Sequence, residues 1–174
     1  MPPDPGPVKT NAPKGLAQTV PRLYNGENSH RRANNMGIVV LGAVFVDIKG
    51  YPTSTYIPGG RNVGRVEQVP GGVSRNVVED IANVELRPTF VSLVDDTGLG
   101  SDVVRQLKNH KVNTDYVLPT PDGMGTWLAV FDNQGDVCAA ISKRPDLRPL
   151  IALLDEKGDE IFRDADSIAL EIDM

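Results

Sequence analysis

The stretch VPGGVSRNVVEDIANV, Val69 to Val84, decides how the rest of the chain is read. Its second half repeats apolar residues at positions 77, 78, 81 and 84, with Leu86 just beyond, the spacing of one face of a helix. Ser74 stands where an N-cap is expected, because its hydroxyl can accept from the free N–H groups of a first turn. Gly71 and Gly72 precede it. Adjacent glycines let a ligand approach bare backbone, and a helix N-terminus offers unpaired N–H donors with partial positive charge. Asn76, in the first turn, adds two donors and an acceptor. Taken alone, the motif fits either a site for a hydroxyl-rich or anionic ligand or an ordinary tight turn into a helix.

Working outward, the flanking sequence alternates strands and helices. Upstream, GIVVLGAVFVD (37–47) is continuously apolar and β-branched, as a strand buried on both faces is, and it ends on Asp47. Residues 51–70 are turn-rich, with PGG at 58–60, and predict an exposed hairpin. Downstream, TFVSLV (89–94) reads as a second core strand, and SDVVRQLKNHKV as a second amphipathic helix capped by Ser101. TWLAVFDNQGDVCAAIS (126–142) alternates about Asn133-Gln134-Gly135, a hairpin in which Cys138 serves as a small apolar filler. LRPLIALLDEKGDEIFRDA predicts a third helix, and SIALEID (167–173) a third buried strand. The order predicts an α/β fold, a mostly parallel sheet with flanking helices and small projecting hairpins. Ligands of open sheets sit at the carboxyl ends of the strands, which selects Asp47, the diglycine, the DDTG turn (95–98) and Glu171.

Composition narrows the classes. A chain of 174 residues with 40% hydrophobic residues is in the range of one domain, and a formal charge of −5 gives no general attraction to nucleic acid or anionic lipid. A single cysteine excludes an internal disulfide framework and a CxxC metal site, which fits a cytoplasmic protein. No apolar run approaches the roughly 20 residues that a membrane helix needs. Residues 1–35 hold six of the 14 prolines and five Lys and Arg against two acids, and read as a disordered tail. The folded part then opens at Met36, which competes with Met1 as the true start. His30 and His110 are too isolated for a metal cluster, and GGRNVGR (59–65) lacks the Lys-Ser/Thr ending of a phosphate loop.

With GIVVLGAVFVD, VPGGVSRNVVEDIANV, LVDDTGLGSDVVRQLKNHKVNTDYV, GMGTWLAVFDNQGDVCAAI and ALEID in hand, residues 36–174 resemble the amino-terminal half of the ribokinase-like PfkB carbohydrate kinases. GGVSRN and VDIKGYP are most similar to the pseudouridine-kinase-like branch. The resemblance implies a ribokinase-like sheet with a small β lid, made of the hairpins at 51–70 and 126–142, truncated after the amino-terminal half. It implies a sugar or nucleoside substrate phosphorylated on a hydroxymethyl group, with ATP and Mg2+ serving the complete enzyme. Asp47 would accept from substrate hydroxyls, Gly71 and Gly72 would carry the sugar on bare backbone, Asn76 would bind a further hydroxyl, and Glu171 would lie near the phosphoryl path. The lids of the family often pair between subunits, implying a homodimer.

DTGLGSD (96–102) imitates the family's second signature, Asp-Thr-x-Gly-Ala-Gly-Asp, which forms an anion hole and ends on the catalytic base. Its last aspartate falls one residue late after its glycines, and it lies far too early in the chain. It is therefore expected to be the ordinary turn after the second core strand. No catalytic residue is assigned, and this chain alone is expected to be inactive. The alternative is a non-catalytic sugar- or nucleoside-binding protein derived from the family.

Overall fold

The apolar run that opens the folded chain is two strands in two sheets, where the sequence predicted one. The computed structural model describes residues 37–171, so the tail read at 1–35, and the last residues of SIALEID, lie outside the described residues. Strand β1 (Ile38–Leu41) stops at Gly42, and β2 (Phe45–Pro52) begins three residues later in a different sheet. The core sheet adds β4 (Thr89–Asp95), β5 (Asn113–Thr120) and β8 (Ser167–Leu170) in the order β5-β4-β1-β8, with every pairing parallel. The second sheet joins β2 to β3 (Gly64–Gly71), β6 (Gly125–Phe131) and β7 (Val137–Lys143) in the order β3-β2-β6-β7. Its outer pairs are antiparallel and its central β2–β6 pair is parallel.

The period of two along the core strands divides their side chains between two apolar layers. Val40, Phe90 and Val94 pack with Val78 of α1 (Val73–Asn83) and with Val103 and Leu107 of α2 (Gly98–Asn109). Val39, Leu41, Val91 and Leu93 pack on the opposite face with Leu150, Leu153 and Ile161 of α3 (Arg148–Phe162). Each fully buried Val, Leu or Phe contributes about 1.5–3 kcal/mol. No helix among the described residues is long and apolar enough to cross a membrane.

Several expectations are corrected. Strand β5 was not foreseen, because Asn113, Asp115 and Pro119 interrupt its apolar pattern. SIALEID is not buried: β8 is an edge strand hydrogen-bonded to β1 alone, with Ile168 and Leu170 more than half exposed. Cys138 is exposed, since β7 is an edge of the second sheet with both faces open. The hairpins run over 45–71 and 125–143, longer than 51–70 and 126–142, because the second half of the first apolar run supplies one arm. Neither serine is a cap. Gly72 and Thr97 occupy those positions, the Ser74 hydroxyl is buried against Ala43 O, and the Ser101 hydroxyl donates back to Thr97 O.

Candidate substrate site

The site forms around the three residues that carry the chain from one sheet to the other. Gly42, Ala43 and Val44 leave the ladder at the carboxyl end of β1, so their buried polar groups need other partners. Gly42 N–H donates to Val91 O (3.3 Å), and Gly42 O accepts from the Ser92 hydroxyl (2.6 Å). Ala43 O accepts from the Ser74 hydroxyl (2.8 Å), and Val44 O from Gly125 N–H (2.9 Å). Ala43 N–H donates to Glu171 Oε2 (3.3 Å), which also accepts from Ser74 N–H (3.3 Å). Glu171 therefore reaches from the end of β8 into the first turn of α1. There its carboxylate faces the positive end of the helix, filling one of the donor positions that the sequence left open for a ligand.

Gly42 is glycine because the junction has no room: a methyl group there would come within 2.5 Å of Ser74 and 2.8 Å of Glu171 Oε2. The diglycine has two distinct reasons. A methyl on Gly71 would lie 2.8 Å from Asp47 Oδ1, so the Asp47 carboxylate rests directly over bare backbone. Gly72 has φ 102°, which side chains rarely adopt, and its open side is turned to Ala43 O at 2.6 Å. Its bare face meets the junction.

Asp47, on β2, pairs in register with Val69 of β3 and Trp127 of β6. Its carboxylate is one-quarter exposed and lies 3.5 Å from the Lys49 ammonium. Asn76 is exposed on α1, one turn beyond Gly72, with its N–H bonded to Gly72 O (3.1 Å). Asp47, Gly71, Gly72, Asn76 and Glu171 thus gather where β1 ends, β3 ends, α1 begins and β8 ends. Sequence reading missed Gly42, Ser92 and Lys49, and took Ser74 for a helix cap. Gly42 gave a signal, as the one glycine inside an otherwise apolar run. Ser92, buried in the middle of a core strand, gave another.

The DDTGLGSD turn lies elsewhere in structural terms. Gly98 already begins α2, Ser101 N–H bonds Thr97 O within it, and Gly100 packs where a methyl would strike Asp95 O at 2.0 Å. Asp95 Oδ1 accepts from Met124 N–H (3.1 Å). Gly100 serves close helix–strand packing, whereas a methyl on Gly98 would meet nothing within 4 Å, and GGRNVGR is the outer turn of the β2–β3 hairpin, tied by Asn62 to Ile57.

A parallel core sheet with flanking helices, a small second sheet and an acceptor carboxylate over bare backbone at the strand ends define a ribokinase-like α/β protein. Arabidopsis thaliana ribokinase, solved with ribose and ATP, superposes with a TM-score of 0.60 at 19% identity, over 78% of this chain and 45% of that one. Residues 36–170 match the pfkB family carbohydrate kinases, and the chain belongs to that family. The guanosine-inosine kinase of Exiguobacterium acetylicum is 36% identical over 138 residues, covering 79% of this chain and 46% of that protein. A pseudouridine kinase of Escherichia coli is 26% identical over 106 residues, covering 60% and 34%. The chain spans less than half the length of these relatives.

Proposed function

We propose that residues 37–171 form the substrate-binding part of an ATP-dependent cytoplasmic sugar or nucleoside kinase that phosphorylates a hydroxymethyl group. The observation that carries this reading is the Asp47 carboxylate over Gly71, an acceptor beside bare backbone at the end of a parallel sheet. A polyol brings donors that need such acceptors when they leave water. Asp47 would take its hydroxyl protons, Gly71 and Gly72 would give it room, and Asn76 would meet a further hydroxyl. Glu171 would support the site from behind by fixing the junction and the start of α1. A nucleoside is favoured over a free sugar by what shares the face of Asp47. Lys49 and Tyr51 follow it at alternate positions of β2, Trp127 is its neighbour on β6, and Phe131 stacks on Tyr51 at 4.8 Å. Aromatic side chains of this kind suit the flat face of a base.

Among the described residues no group of three or more His, Cys, Asp or Glu gathers to hold a metal, and the amide of Ser101 is used inside α2. We place the nucleotide, the metal and the catalytic base in sequence that the relatives have and this chain does not span, so that the chain binds ligand without transferring phosphate. The second sheet, with its exposed apolar face, would be the lid and the dimer contact. A thermal-shift comparison tests the reading. At matched concentration inosine, guanosine and pseudouridine should stabilise the chain more than ribose does, a ligand at a hundredfold excess over its Kd adding roughly 2.7 kcal/mol relative to the free chain, and Asp47→Ala should abolish the effect. No response to any of them would sink it, and ATP-dependent product formation by this chain alone would overturn the division of labour.

A further inference from the structure

We infer that Arg75 is a positioning residue for the ligand: by holding the side-chain oxygen of Asn76, it turns that carboxamide so that only N–H donors face the site. The inference rests on the reading of Asp47 and Asn76 as ligand contacts. Arg75 lies in the first turn of α1 with 13% of its side chain exposed. Its Nη1 donates to Pro70 O (3.0 Å), immediately before the diglycine, and to Asn76 Oδ1 (3.3 Å). Its Nη2 donates to Glu79 Oε2 (2.5 Å), one turn further along the helix. One guanidinium therefore straps the end of β3 to the start of α1 across Gly71 and Gly72. Its Nε is buried and has no hydrogen-bond partner, so the two terminal nitrogens alone fix the plane of the group.

A carboxamide has one acceptor oxygen and two N–H donors. With its oxygen committed to a cation, Asn76 meets a ligand as a donor. Ionised Asp47, in contrast, can only accept. A hydroxyl group satisfies both demands, since it gives its proton to a carboxylate and receives one from an amide on a lone pair. The two groups together read hydroxyls as such, and an analogue that lacks the hydroxyl leaves them unpaired, which sites of this kind reject strongly. Lysine cannot replace Arg75, because a single ammonium on a flexible stem lacks the planar fork that reaches Pro70, Asn76 and Glu79 together.

The test titrates inosine, 2′-deoxyinosine and 3′-deoxyinosine calorimetrically into the wild-type chain, Arg75→Lys and Asn76→Asp, and follows the Asn76 side-chain amide signals by NMR without ligand. The wild type should prefer inosine to at least one deoxy analogue. Arg75→Lys should shrink that preference by roughly three- to tenfold, through weaker binding of inosine, while the analogue keeps its affinity and the Asn76 amide signals shift. Asn76→Asp keeps an oxygen for Arg75 and should retain its melting temperature yet lose inosine. Equal weakening of all three ligands in Arg75→Lys, or an unmoved Asn76 amide, would overturn the inference. A wild-type chain that binds no nucleoside refutes the proposed function instead, and the amide signals then decide for or against the strap by themselves.

Discussion

The two glycines of the diglycine are neighbours in sequence but face different things, and substitution should separate them. At Gly71 an added methyl meets the far end of the Asp47 side chain, which can swing aside. Gly71→Ala should therefore leave the melting temperature nearly unchanged while weakening ligand by roughly tenfold, the loss of about one well-placed hydrogen bond. At Gly72 the methyl meets Ala43 O, a backbone atom, in a conformation that is almost reserved for glycine. Gly72→Ala should lower stability by about 1–3 kcal/mol, with or without ligand. Chemical denaturation and an inosine titration on both variants check the pair, and equal effects on the two readouts would contradict it. Sequence alone showed that this backbone had to be bare but could not show which side each glycine turns to the fold. That depends on Asp47 of β2 and Ala43 of the junction before it, which reach the diglycine from more than twenty residues earlier.

Among the elements, the junction between the sheets is the one held chiefly by side chains. The Ser92 hydroxyl is the partner of Gly42 O and is fully buried. Ser92→Ala should cost about 1–3 kcal/mol, the penalty of a buried carbonyl left unpaired, and urea unfolding measures it. A change within a few tenths of a kcal/mol would show that the carbonyl finds another partner. Helix α3 carries a pH-dependent start. The Arg148 side chain, and then its backbone N–H, hold the Asp146 carboxyl down at about 2. Because the folded value lies below the ordinary 3.8, whatever this pair contributes is present above about pH 4 and is lost as pH falls toward 2. An NMR titration of Asp146 should find its midpoint near 2, and one near 3.8 would show that the pair does not persist. The strands and helices with clear periodicity were legible from sequence. The break at Gly42 was marked only by that one glycine, which a continuous strand can also carry, and β5 was hidden by polar residues that an edge strand, paired with β4 alone, can tolerate.

For the molecule as a whole, the open faces set its behaviour in solution. Val66 and Ile141 are each at least 70% exposed on the second sheet, and Ile168 and Leu170 line the outer edge of β8. Apolar side chains beside unpaired strand edges promote association. We expect concentration-dependent self-association by light scattering, which Ile141→Lys should reduce, and a monodisperse monomer across the range would contradict it. The apolar run of SIALEID fits a buried strand and an uncovered one alike, and β8 is the uncovered one. Its pairing has a further consequence in time. Strand β1 sits inside the core sheet, yet one of its two neighbours arrives from far along the chain, and the Gly37–Asp166 bond beside it spans 129 residues. Loop closure of that length is slow relative to local contacts. On a ribosome, β1, β4, β5 and the first two helices can assemble while one flank of β1 stays open, and β8 docks only after them. Refolding should therefore show α1, α2 and β4 protected against hydrogen exchange before the amides of Ile168 to Leu170. In the folded chain those same amides should open early, loosening the grip of Glu171 on the site before the core gives way.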